Sequence, residues 1–97
     1  MKRFPKAKFY NEVSKERYSY LLDYIKAMRR LCNLTQLEAS SDLNIDRSEL
    51  TNYENGVVNI PLYRFIIICV YYRQFVEQNH IELTEQVIKL EKLCSFI

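Results

Sequence analysis

Glycine and proline, the residues that most often interrupt helices, are almost missing from this 97-residue sequence. Gly56 is the only glycine, and Pro5 and Pro61 are the only prolines. With so few breaks, the chain is expected to be mostly helical. Its apolar share of 48% and charged share of 27% exclude an intrinsically disordered chain and predict one folded domain.

The residues that form most active sites and metal centres are also few. His80 is the only histidine, and Cys32, Cys69 and Cys94 are widely spaced without a CxxC pair. This spacing favours reduced, largely buried thiols over a disulfide framework or a metal site. The sequence has no glycine-rich loop and no nucleophile set among histidine and carboxylate residues, so we expect no enzyme activity, no cofactor and no metal.

Long apolar runs are missing as well. A membrane span requires roughly 18 apolar residues, and the nearest approach, residues 62–72, is bracketed by Arg64 and Arg73. The N-terminus also lacks an apolar segment of the signal-peptide type. We therefore expect a cytoplasmic protein with no membrane contact.

The net charge of +2 hides an uneven distribution. Residues 1–34 hold nine Lys or Arg against three acidic residues, which gives +6 and leaves −4 for the rest. A basic first third is typical of a protein that binds phosphates. Residues 1–13 form a basic N-terminal arm that either follows a nucleic-acid backbone or, the interpretation we favour, is a mobile tail.

Residues 35–56 have the signals of two short helices joined by a tight turn. Thr35 and Glu38 have the spacing of a capping box, and Asp46 and Glu49 repeat it one helix later. Asn44, between the two helices, tolerates the left-handed conformation of a helix C-cap, and Gly56 suits the end of the second helix. Two helices with such a turn match the helix-turn-helix unit, whose second helix enters the DNA major groove.

These residues resemble the Cro and lambda-repressor (XRE-type) class of helix-turn-helix DNA-binding domains, over about residues 21–72. Thr35-Gln36 begins the first motif helix, Asn44 stands where glycine is usual, and Glu54-Asn55-Gly56 ends the second. The resemblance implies an all-α fold, a five-helix lambda-repressor-like helix-turn-helix domain with an apolar C-terminal helix. It also implies a buried salt bridge between Arg29 and Glu54; the alternative is an exposed Arg29.

The sequence departs from this family at three places. Ala39-Ser40 replaces the usual Leu-Ala, and Pro61 falls one residue late. Val57-Val58 occupies a loop that is often basic, and these valines suggest an apolar contact with a partner subunit.

Helical periodicity predicts helices over about 14–32, 36–43, 47–54, a fourth from Pro61, and 84–95. We divide the chain into the arm at 1–13, a helix-turn-helix domain at 14–76 and a C-terminal dimerisation helix at 77–97. His80 lies in a polar segment that predicts a turn.

The third helix is the expected DNA reader, because Ile45, Leu50 and Tyr53 face inward and leave a polar outer face. Arginine can bind guanine, and asparagine can bind adenine, through paired hydrogen bonds. Glu49 either completes a capping box or accepts from a cytosine amine. The predicted DNA-binding residues are Gln36, Arg47, Ser48, Glu49, Thr51, Asn52 and Asn55.

The last helix repeats apolar residues at steps of four and three, which is a short heptad seam. This seam either packs on the fourth helix of its own chain or, as we favour, joins two chains. The predicted dimer-interface residues are Leu83, Val87, Leu90, Cys94 and Ile97.

These patterns favour a sequence-specific double-stranded DNA-binding transcriptional regulator, a homodimeric repressor that reads a pseudo-palindromic operator. The alternative is a protein-interaction module, such as the antitoxin of a toxin-antitoxin pair, with a protein partner at the apolar C-terminal helices. Near-neutral net charge and the apolar content of residues 62–97 favour the alternative.

Overall fold

The structure is a computed structural model that describes residues 14–94. These residues form five α-helices and no strand: α1 Ser14–Leu31, α2 Gln36–Leu43, α3 Arg47–Glu54, α4 Leu62–Gln78 and α5 Glu85–Leu93. The all-α prediction is therefore confirmed. The N-terminal arm and Ile97 lie outside the described residues. No helix in the described part of the chain is long and apolar enough to cross a membrane.

Helices α1 to α4 all end in the same way, with a left-handed residue that an apolar residue follows. The left-handed positions are Asn33, Asn44, Gly56 and His80, with φ between 53° and 71°. After each of them the next amide bonds back to a carbonyl five residues earlier, as in Ile45 to Ser40 at 3.0 Å and Val57 to Asn52 at 2.9 Å. This is the Schellman arrangement. Asparagine or histidine occupies the left-handed position, where glycine is usual, at three of the four helix ends.

The predicted capping box is present at the start of α2 but not at the start of α3. At α2 the predicted capping box is present: the Glu38 amide donates to the Thr35 hydroxyl at 3.1 Å, and the Thr35 amide donates to the Glu38 carboxylate at 3.0 Å. The backbone hydrogen bond from Thr35 lowers the pKa of Glu38. At α3 the predicted box is wrong, because Asp46 makes no side-chain cap hydrogen bond and Glu49 has other partners.

The core lies between α1, α3 and α4. Ile25 and Met28 from α1 meet Leu50 and Tyr53 from α3. Ile68, Tyr72 and Val76 complete this core from α4. The recognition candidate α3 packs mainly against α2 and α1, with its apolar side turned to this core.

Helix α5 packs mainly along α1. Val87 is buried there, and Leu83, Leu90 and Cys94 pack against the same core. The Glu91 carboxylate accepts from Tyr24 at 3.0 Å and from Arg73 at 2.6 Å, so it links α5 to α1 and α4. Burial is the main reason why the pKa of Tyr24 is raised to about 12.

Replacing Asn44 with glycine is expected to stabilise the protein. Asn44 has φ 56° and ψ 44°, a conformation that costs asparagine more than glycine. We expect Asn44→Gly to raise the free energy of unfolding by about 0.5 kcal/mol and Asn44→Ala to lower it by about 1 kcal/mol. Urea denaturation followed by circular dichroism measures both, and equal stabilities for the glycine and alanine variants would contradict the left-handed conformation.

Candidate nucleic-acid interface

Helices α2 and α3 form the two arms of a helix-turn-helix. Asn44, Ile45 and Asp46 are the only residues between them, and Asn44 reverses the chain through its left-handed backbone. Ile45 packs against the core below the turn. Leu50 and Tyr53 bury one side of α3, so its opposite side is turned away from the protein body.

A buried salt bridge lies beneath this motif. Arg29 donates from Nε to Glu54 at 2.8 Å and from Nη2 to the other carboxylate oxygen at 3.0 Å, and its Nη1 donates to the Leu34 carbonyl at 3.0 Å. Glu54 is only 2% exposed. Its hydrogen bonds raise the pKa of the Arg29 guanidinium. The structure thus places Arg29 against the partner that the sequence suggested, and ties α1 to the end of α3.

Gln36 and Thr51 connect α2 to α3 above the salt bridge. The Thr51 hydroxyl lies 2.7 Å from the Gln36 amide oxygen and 2.9 Å from the Arg47 carbonyl, and the Gln36 amide nitrogen donates to Glu54 at 3.2 Å. The carboxylate of Glu54 therefore fixes which way the Gln36 amide points. One hydrogen of that amide nitrogen is left for an outside acceptor, since a primary amide has two.

Glu49 is occupied by its own neighbours. The Tyr53 hydroxyl donates to its carboxylate at 2.8 Å, and Arg64 of α4 lies 3.5 Å from the same oxygen. Burial, and then the hydrogen bond to Glu49, raises the pKa of Tyr53. The negative charge of Glu49 is thus partly balanced by Arg64, which reduces its repulsion of an approaching phosphate.

Four of the predicted DNA-binding residues have side chains without a hydrogen bond to any residue of the described range 14–94. Arg47, Ser48 and Asn55 are exposed, and Asn52 is half-buried on the outer side of α3. Their donors and acceptors are available to a ligand. The structure therefore separates the predicted set into Gln36, Thr51 and Glu49, which are held in place, and four residues that are free to contact DNA.

Arg64 was not singled out from the sequence as a neighbour of the motif. It lies 15 residues from Glu49 and belongs to another helix, so no local spacing signals the contact. The pairing of Gln36 with Thr51 was missed for the same reason. Both contacts depend on how the helices cross, which periodicity does not specify.

The predicted dimer-interface residues are placed inside the single chain. Val87 is 2% exposed, and Leu83, Leu90 and Cys94 are partly buried against the same core; Ile97 is outside the described residues. Leu83, Leu90 and Cys94 keep part of their surface exposed, so the dimer contact through this helix stays a prediction. Among residues 14–94 there is also no cluster of His, Cys, Asp or Glu that could hold a metal ion.

Comparison with known families agrees with this geometry. A helix-turn-helix family model matches residues 25–73, from the middle of α1 to the second half of α4. The chain belongs to the Cro/C1-type helix-turn-helix family, whose members are DNA-binding regulators. Searches of curated protein sequences and of solved structures give no match.

Proposed function

We propose that the protein is a cytoplasmic, homodimeric transcriptional repressor that reads a pseudo-palindromic operator through α3. The observation that carries the proposal is the outer face of α3, where Arg47 and Asn52 are free while the inner face is fixed by Leu50 and Glu54. A reader helix must be rigid so that its side chains meet base edges without a further loss of freedom.

Each free side chain has a distinct task in this proposal. Arg47 is suited to guanine, whose two major-groove acceptors match the guanidinium, and Asn52 is suited to adenine. Ser48 bonds a base or a phosphate. Asn55 follows α3, and its side chain contacts the sugar-phosphate backbone.

Gln36 contacts phosphate in the proposed complex. It lies in the first turn of α2, where free amides and the helix dipole attract an anion. Its amide is already oriented by Thr51 and Glu54, so the remaining N–H is positioned before DNA arrives. Thr51 therefore contributes indirectly, by holding Gln36, and Glu49 is a poorer candidate for base contact because Tyr53 and Arg64 engage its carboxylate.

A protein-interaction module is the second candidate, and exposed apolar side chains favour it. Val57 is 70% exposed and Leu62 69% exposed, and clusters of exposed apolar residues mark interaction sites on soluble proteins. An antitoxin that binds DNA through α3 and its toxin through such apolar residues would combine the two candidate functions.

The decisive experiment measures fluorescence anisotropy on a labelled duplex from the region upstream of the protein's own gene. We expect affinity to fall steeply between roughly 50 and 200 mM salt, because bound phosphates release counterions, and to resist a scrambled competitor. Arg47→Ala and Asn52→Ala should each cost about 1–3 kcal/mol of binding free energy on this duplex. Lys92→Ala on α5 removes one positive charge from an exposed site away from α3 and is the matched control.

Equal affinities for the wild type and both α3 variants would rule out α3 as the reader. Absence of binding by a folded wild type would remove the operator proposal for that duplex and leave the protein-interaction candidate. Binding that the scrambled competitor abolishes would indicate phosphate contact without sequence reading.

A further inference from the structure

The outer side of α4 changes character halfway along the helix. Residues 62, 63, 66, 67 and 70 lie along one side, since an α-helix repeats every 3.6 residues, and this side is opposite the buried Ile68 and Tyr72. Further along the same side, Arg73, Gln74 and Glu77 are polar and exposed. The first half is apolar and between 47% and 69% exposed; it consists of Leu62, Tyr63, Ile66, Ile67 and Val70.

Two more exposed apolar residues lie in the loop before α4. Val57 is 70% exposed and Val58 is 47% exposed. We call the five α4 residues and these two valines the apolar patch. At such exposures each residue offers on the order of 100 Å², so the patch offers on the order of 700 Å², near the ~800 Å² that each partner contributes to a standard interface.

We infer that the apolar patch is the surface through which two copies of this chain pair. The inference rests on the proposed function, because a pseudo-palindromic site is read by a two-fold dimer. It is an alternative to the C-terminal seam predicted from the sequence, whose described residues pack at least partly inside one chain.

Charge supports a second copy as the occupant. A two-fold interface brings the same patch from both chains together, so a patch with an unpaired charge would repel itself. Arg64 is the only charged residue in 57–70, and its guanidinium lies 3.5 Å from the Glu49 carboxylate. The patch therefore presents aliphatic and aromatic groups to its own copy.

The position of the patch fits the spacing of two reading helices. Half-sites one helical turn apart place the two α3 helices about 34 Å from each other, so the two-fold axis must pass within about 17 Å of each. Val57 lies three residues after Glu54, the end of α3, and three residues span at most about 11 Å. Helix α5 packs along α1 instead, and it has no such continuity with the reader.

The test compares Ile66→Glu with two matched controls by sedimentation equilibrium without DNA. Ile66 is 51% exposed, so glutamate is tolerated in the monomer but would place an unpaired charge in the centre of the interface. Ile88→Glu introduces the same change at a 40% exposed site on α5, and Gln74→Glu adds a charge to the polar half of α4. Circular dichroism and thermal unfolding verify that each variant is folded.

The wild type is expected to be a dimer of twice the 11.7 kDa chain mass. It should remain a dimer in roughly 500 mM salt, because salt does not screen apolar contacts. Ile66→Glu should raise the dimer Kd by about 30-fold or more, whereas both controls should dimerise like the wild type. A folded Ile66→Glu that dimerises normally would overturn the assignment. So would a monomeric wild type, which would leave another protein or the chain's own residues 1–13 as the occupant.

These outcomes are separable from those of the proposed function. If Ile66→Glu dissociates the dimer while the wild type shows no salt-dependent DNA binding, the apolar patch is the dimer interface and the operator proposal is wrong. If DNA binding depends on Arg47 but Ile66→Glu remains a dimer, α3 is the DNA reader and the apolar patch is not the dimer interface.

Discussion

Glu54→Ala is expected to lower the free energy of unfolding by about 3–5 kcal/mol, the usual cost of removing one partner from a buried ion pair. Its carboxylate accepts two hydrogen bonds from Arg29 and one from Gln36. The substitution leaves the Arg29 guanidinium, whose side chain is 12% exposed, without a counter-charge inside the protein. For a domain of this size such a loss removes a large part of the total stability.

Urea denaturation with circular dichroism and tyrosine fluorescence measures this change. Glu77→Ala removes a carboxylate from an exposed position on α4 and should stay within about 0.5 kcal/mol of the wild type. Pairing Glu54→Ala with Arg29→Met should recover part of the loss, because the unpaired charge is then removed as well. A loss below about 1 kcal/mol for Glu54→Ala would show that the pair is not buried as described.

Leu50→Ala is expected to cost about 2–5 kcal/mol, the range for truncating a fully buried leucine. Leu50 is 0% exposed and is the inward anchor of α3. The cavity would lie directly beneath the reader helix, so affinity for a specific duplex should fall more than the loss of folded protein alone explains. Anisotropy at a temperature where the variant is fully folded separates these two effects.

Leu37→Ala is the matched control, since Leu37 is on α2 and 60% exposed. It undergoes the same chemical change and should alter stability by less than about 0.5 kcal/mol. If the two leucine variants are equally stable, α3 does not pack on the core in the way the structure describes.

The helix ends could be predicted from the sequence because their signals are local. Asn44 and Gly56 mark positions that need a left-handed backbone, and Thr35 with Glu38 defines a helix start within four residues. The helix over residues 47–54 was predicted with the same bounds that the structure shows. Asn33 and His80 end α1 and α4 in the same way, but they were not recognised, because neither residue is a strong signal by itself.

The candidate site was predictable only in part, because several of its contacts join different helices. The link between Gln36 and Thr51 depends on the crossing of α2 and α3, and that between Glu49 and Arg64 on the approach of α4. The capping box expected at Asp46 is not formed: Asp46 makes no side-chain cap hydrogen bond, and the Glu49 carboxylate contacts Tyr53 and Arg64. The heptad seam of α5 indicated an apolar contact, but such a seam does not identify which helix covers it.

The short connections between α1, α2 and α3 also bear on how quickly a newly made chain folds. Each of these helices ends through bonds within six residues; four residues separate α1 from α2, and three separate α2 from α3. Helical domains with mostly local contacts fold in about microseconds to milliseconds, whereas ribosomes add about 5–20 residues per second. Ile68 and Tyr72 must be present before the core can close over α3. The supply of α4 by the ribosome, rather than the search for the folded state, therefore sets when a newly made chain can first close this core.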